Sequence, residues 1–175
     1  ASLPGMYERT LTMYTFSKKF AMTGWRLGGA IGPEKIIEQI TRLNVNMESC
    51  TTHFIQHAGV AGLKAPKAET QEILDELQTR RDILVDILNS IDGIEVHKPE
   101  AGFYVFPKIT DLMAQIGFND PEEFRKTVLE ETGVSFCGRH HFGRPLDNEP
   151  DYYIRLAFSG INKEDLQEGM DKLKA

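Results

Sequence analysis

Thr15-Phe16-Ser17-Lys18-Lys19-Phe20-Ala21-Met22-Thr23-Gly24-Trp25-Arg26-Leu27-Gly28 gathers hydroxyls, two adjacent lysines and an arginine into one short stretch. The residues before it, Thr10-Leu11-Thr12-Met13-Tyr14-Thr15-Phe16, are rich in β-branched and aromatic types and read as a strand, so the lysines fall in a polar turn at a strand end. After it, Leu27-Gly28-Gly29-Ala30-Ile31-Gly32 reads as a second short strand whose glycines permit close backbone approach. A lysine forms an imine with an aldehyde only through its neutral amine, which nearby positive charge or desolvation favours. Lys18 has Lys19 beside it and Arg26 further along, while Thr15, Ser17 and Arg26 offer hydroxyls and a guanidinium fork for a phosphate. The set is chemically coherent. On spacing alone, a solvated Lys-Lys pair at a strand end remains the simpler reading.

Moving outward, Pro33 suits a first helical position, and Ile36, Ile37, Ile40, Leu43 and Met47 recur near the helical period. Thr51 or Thr52 is placed to cap the next helix, in which Phe54, Ile55, Ala58, Ala61 and Gly62 offer a small-residue packing face. Beyond Lys64-Ala65-Pro66 a long charged helix is expected over Ala68 to Ile91, with Leu74, Leu77, Leu84, Leu88 and Ile91 as its apolar stripe and Asp92-Gly93 as its stop. It is the natural domain connector. The remainder alternates: strands over 94–97, 102–106, 134–137 and 152–158, a helix from Pro121, and a final helix. Asp120-Pro121-Glu122-Glu123 and Asn162-Lys163-Glu164-Asp165 carry a polar cap and an acidic first turn. The expected division is residues 1–66 and 67–175, the second a small α/β unit behind its connecting helix. No internal repeat or low-complexity segment is visible.

Composition narrows the class without naming an activity. The chain has 175 residues, an apolar share of 41% and a charged share of 26%, ordinary values for a globular protein. With 20 Lys+Arg against 26 Asp+Glu the net charge is -6, a field that repels nucleic acid, so any phosphate must be held locally. Only Cys50 and Cys137 are present, too few for a disulfide scaffold; both are expected as buried thiols in a reducing cytoplasm. No stretch approaches the roughly 20 apolar residues of a membrane helix, and no basic-then-apolar leader opens the chain. Beginning at Ala1 and opening Ser2-Leu3-Pro4-Gly5, the sequence reads as a piece of something longer.

Thr-Phe-Ser-Lys followed by Met22, Gly24, Trp25, Arg26 and Gly28 resembles the cofactor attachment site of class I pyridoxal-phosphate aminotransferases, aspartate aminotransferase-like enzymes of fold type I. The resemblance implies that Lys18, directly after the serine, carries pyridoxal 5'-phosphate, with Lys19 at a variable position. It also implies that Arg26 and Thr15 bind the phosphate, with Ser17 nearby; threonine replaces the more usual serine at position 15 but keeps the hydroxyl. Tyr152-Tyr153-Ile154-Arg155-Leu156-Ala157-Phe158-Ser159 alternates so that Tyr152, Ile154, Leu156 and Phe158 share one face and Arg155 points away from it. Without context, Arg155 is a surface arginine; the resemblance implies the arginine that grips the substrate α-carboxylate. Pro99-Glu100-Ala101-Gly102-Phe103-Tyr104-Val105-Phe106 is similar to a small-domain strand of the same enzymes, and the long helix to their interdomain helix.

The implied fold is thus the last strands and helices of a large cofactor domain, then the connecting helix and a small α/β domain. The implied reaction moves an amino group from an amino acid to a 2-oxo acid in a homodimeric enzyme, with the freed Lys18 amine as base. In that family an acidic partner for the cofactor's ring nitrogen precedes the lysine, yet only Glu8 does so here, so the site is expected to be incomplete and this chain inactive alone. A carbon-sulfur lyase on the same scaffold and a free-standing non-catalytic domain stand as alternatives. The glycines at 24, 28, 29 and 32 follow no G-x-G-x-x-G order, and His140-His141 lacks an acidic or thiol set to complete a metal site. Cys137 shows no feature that would activate a nucleophile.

Overall fold

The computed structural model, which describes residues 1–144 and 146–174, is an α/β protein of two compact units, Ala1–Glu72 and Ile73–Ala175. The boundary between these units falls inside the long helix. The helix's first turn is tied backwards, Glu69 N donating to Pro66 O and Thr70 N to Lys67 O.

In the first unit, β1 (Thr12–Thr15) and β2 (Gly28–Ile31) form an antiparallel hairpin in the register Thr12↔Ile31 to Thr15↔Gly28. Gly28 is needed there because a Cβ would lie 3.0 Å from the Tyr14 carbonyl oxygen. Two helices follow, α1 (Glu34–Met47) and α2 (His53–Lys64). Pro33 sits just before α1 rather than within it and offers its carbonyl to Ile36 N and Ile37 N. Thr52 caps α2 by position, without a side-chain hydrogen bond. The expected packing face of α2 needs correcting. Its buried residue is Gly59, where a Cβ would fall 2.5 Å from Leu27 Cδ2 and 3.5 Å from Phe16 Cε1, and Gly62 faces Phe20 at 3.2 Å, whereas Ala61 is exposed. Missing side chains at 59 and 62 let the Phe16–Leu27 loop lie directly on the helix.

In the second unit, α3 (Ala68–Asn89) sends Leu84, Val85 and Leu88 into the core. Gly93 follows at φ +81°, and a Cβ there would be 2.5 Å from Leu112 N, so the next helix packs directly on the turn. That helix, α4 (Thr110–Gln115), escapes the sequence reading because six residues are too few to show a period. The strands β3 (Tyr104–Val105), β4 (Cys137–Gly138) and β5 (Ile154–Ala157) make an antiparallel sheet in the order β3-β5-β4. The strand expected over 94–97 reduces to one bridge, Glu95 with Lys108. The residues beyond it turn to α3 instead, Lys98 pairing with Asp82 at 2.8 Å and the Pro99 carbonyl accepting from Arg81.

Two helices cover this sheet, α5 (Pro121–Thr132) and α6 (Lys163–Lys174). Both begin as their sequences predict, Asp120 Oδ1 accepting from Glu122 N at 2.8 Å and Asn162 Oδ1 from Asp165 N at 2.7 Å. Ile154, Leu156 and Phe158 alternate into a core shared with Phe124 and Val128 of α5, Leu166 and Met170 of α6, and α3. The cysteines depart from expectation: Cys50 is exposed in the short turn between α1 and α2, where the chain is too brief to be covered, and Cys137 is half-buried at the sheet edge. Among the described residues no helix is long and apolar enough to cross a membrane.

Candidate active site

The hairpin pairing Thr15↔Gly28 is continued by Phe16 N donating to Leu27 O at 3.1 Å, so the whole motif is one loop whose two ends are stitched together. Thr15, Ser17 and Lys18 leave one strand where Arg26 enters the other. Lys18 is exposed, with its carbonyl accepting from Ala21 N at 3.3 Å. Lys19 is also exposed and lies over the Phe20 ring at 5.4 Å. Buried Phe16 and Met22 pin the loop, and Trp25 meets Phe54 of α2 edge-on at 6.4 Å. Ala21 and Arg26 hold φ of 51° and 52°, a left-handed conformation that costs a residue with a Cβ about 1–2 kcal/mol. The loop therefore carries strain, as functional loops often do.

The polar groups of this loop suit an anion. Thr15 Oγ1 accepts from Ser17 N at 3.2 Å, which leaves the hydroxyl proton to donate outward. Arg26 Nη1 donates to Thr23 O at 2.8 Å, and no carboxylate pairs with Arg26 among the described residues, so most of its fork stays available. Hydroxyl, guanidinium and a primary amine on one closed loop are the donor set that a phosphorylated aldehyde requires.

Arg155 stands in the other unit, half-buried on the face of β5 opposite the core, as the alternation predicts. Its guanidinium carbon lies 4.3 Å from the Tyr104 ring centroid and 4.7 Å from that of Phe142. Its cross-strand neighbour is Cys137, whose sulfur is 3.7 Å from Arg155 Nη2. Phe142 ends a 3-10 turn, Arg139–Phe142, anchored by the Arg139–Glu149 pair at 2.6 Å. The Leu146 N–H and then Arg139 hold the Glu149 carboxyl below its usual range. In the same turn the His140 and His141 rings lie 4.0 Å apart, with His140 Nε2 at 3.4 Å from Glu122. Neither a cleft of about 400 Å³ lined by Leu84, Val134, Leu156, Leu166 and Met170 nor a hollow of about 490 Å³ beside Trp25 includes Lys18 or Arg155.

A family model described as aminotransferase class I and II matches residues 3–173. The chain belongs to the class I and II aminotransferase family. It is 36% identical over 173 residues to an aspartate aminotransferase of Musicola paradisiaca, covering 99% of this chain and 41% of that protein. An aromatic-amino-acid aminotransferase of Thermococcus litoralis is 35% identical, with 99% and 42% covered. Among solved structures, the aspartate aminotransferase of Rhizobium meliloti superposes with a TM-score of 0.87 at 29% identity, over 98% of this chain and 42% of that one. An aromatic aminotransferase of Pyrococcus horikoshii gives 0.86 at 34% identity, over 99% and 44%. The chain thus spans about two fifths of the length of the aminotransferases it matches.

Three neighbours of the residues singled out in sequence were not visible there. Tyr104 and Phe142 reach Arg155 from separate segments, which no local pattern reveals, although aromatic residues close to an alternating strand with one arginine were the available hint. Gly59 seats the lysine loop, and its signal was a glycine inside a helical run, which usually marks close packing.

Proposed function

We propose that this chain is part of a pyridoxal-phosphate-dependent aminotransferase, with Lys18 as the covalent cofactor anchor and Thr15, Ser17 and Arg26 as the phosphate cradle. Arg155 is assigned to the substrate α-carboxylate. The substrates are an amino acid and a 2-oxo acid, and the whole enzyme is a homodimer. Residues 1–72 then belong to a large cofactor domain and 73–175 to a small domain. The observation that carries this reading is the closed hairpin, Thr15 opposite Gly28, which sets the amine, hydroxyls and guanidinium on one loop. Family membership and the whole-chain match to aminotransferase structures support it. Since the chain spans about 41% of such relatives, these 175 residues alone hold an incomplete site and are inactive.

When bound, the cofactor supplies an aldehyde for amine attachment and an electron-accepting ring. The protein's tasks are separable. Arg26 and Thr15 fix the phosphate by charge-assisted hydrogen bonds. Arg155 would orient the substrate through its carboxylate, and the Lys18 amine would take the proton from the substrate α-carbon and deliver it to the cofactor carbon that had carried the aldehyde.

The test is a set of single substitutions in the whole enzyme followed by the cofactor's absorbance. Lys18→Ala loses the band of the covalently held cofactor, Lys19→Ala keeps it, and Arg26→Gln weakens cofactor binding about tenfold or more. A band lost in Lys19→Ala and kept in Lys18→Ala shifts the anchor by one residue and overturns the assignment.

A further inference from the structure

Most arginines of the second unit end on a carboxylate: Arg80 on Glu76, Arg81 on Asp82, Arg125 on Glu122 and Arg139 on Glu149. Arg155 does not. Among the described residues its guanidinium meets no carboxylate, and its single hydrogen-bond contact is the 3.7 Å approach to the Cys137 thiol, a weak acceptor. What holds it is aromatic: Tyr104 at 4.3 Å and Phe142 at 4.7 Å. The difference matters chemically. An internal carboxylate would fill the N–H fork and cancel the charge, whereas a ring attracts the cation through its face and leaves the in-plane donors open.

We propose that Tyr104 and Phe142 are positioning residues that hold Arg155 oriented but unneutralised, so that its fork is reserved for an incoming carboxylate. This rests on the assignment of Arg155 to the substrate carboxylate. The two rings are fixed independently. Tyr104 is held by the β3–β5 ladder, opposite Ala157 and so adjacent to Arg155 across the strands. Phe142 is held by the Arg139–Glu149 anchor and by Phe106, which meets it edge-on at 6.0 Å and stacks on Tyr153 at 5.3 Å with planes only 6° apart. Both rings remain partly open, Tyr104 at 39% and Phe142 at 45%, so the clamp borders a face that a ligand can reach. Loss of one ring leaves the other, and the effects should accumulate.

The experiment follows the Arg155 Nε–H by NMR in the 175-residue protein while acetate is added as the carboxylate probe. In the unsubstituted protein this signal lies away from the ordinary arginine position, shifted by the ring currents, and moves as acetate binds. Tyr104→Leu and Phe142→Leu each return it towards the ordinary position and weaken acetate binding about two- to fivefold, while Tyr104→Phe, which keeps the ring, restores both. Arg155→Lys, which has no such signal, is followed by the backbone amides of Ile154 and Leu156, and their response to acetate is lost. An ordinary Nε–H position before any substitution, or acetate binding unchanged in both leucine variants, overturns the clamp while leaving the carboxylate assignment standing. Acetate binding undiminished in Arg155→Lys overturns the assignment and the clamp with it.

Discussion

The two units differ in how far folding has buried their apolar residues. In the second, fifteen buried hydrophobics among the described residues form one cluster, and Leu88 and Met113 are 0% exposed. In the first, the buried hydrophobics among the described residues are Phe16 and Met22, both in the lysine loop; α1 buries nothing, and Met13 and Met47 are each 75% exposed. Both units form most of their expected elements, and the exceptions lie in the better-buried second unit, so the contrast is not one of propensity. A two-stranded hairpin with one layer of helix has too little surface to close a core. What the first unit does bury is spent on the loop itself: Phe16, Leu27 and Phe20 on Gly59 and Gly62. The lysine loop is thereby shaped locally, even though the apolar faces around it are open.

The sharpest way to break this contrast is truncation on each side. Leu88→Ala is expected to cost about 2–5 kcal/mol in denaturant unfolding of the second unit. Leu43→Ala, on the exposed face of α1, should change stability by less than about 0.5 kcal/mol. An equal cost for the two would mean that the first unit's apolar face is covered in solution. Smaller in effect, Asp120→Ala removes the α5 cap and should cost about 1 kcal/mol, read as a lower thermal midpoint.

Acid gives a graded probe of the second unit alone. The hydrogen-bonded Arg125 guanidinium, helped by His140 and Lys126, holds the Glu122 carboxyl down at about 2, against 4.5 when unpaired. A carboxyl lowered by folding contributes stability that is fully present above 4.5 and is lost as pH falls from there towards 2. Glu122→Gln should flatten the stability profile of the second unit over that window and leave the first unit's signals unchanged. An unaltered profile would show that the Glu122–Arg125 pair does not contribute.

Much of this was legible in the sequence because local chemistry decided it. Asp120-Pro121 and Asn162 announced their helices by capping, the 152–158 alternation placed Arg155 off the core face, and the β-branched run before Lys18 announced the hairpin. What the sequence hid depended on contacts between distant segments. Six residues of α4 are too short for a period, and they are held by Gly93 and the core. The strand expected at 94–97 lost its residues to α3 through Lys98 and Arg81. The rings around Arg155 come from positions 104 and 142 and meet only after the sheet forms. Burial misled most in the first unit, where, of the stripe read on α1, Ile37 and Ile40 are only half-buried and Ile36, Leu43 and Met47 are exposed among the described residues.

The central claim is that Lys18 anchors the cofactor, and borohydride reduction followed by peptide mapping of the whole enzyme tests it most directly. Reduction fixes pyridoxal phosphate to whichever lysine holds it. The predicted result is modification at Lys18, with Lys19 beside it at background. Modification at Lys19, or spread evenly over the exposed lysines, would contradict the account.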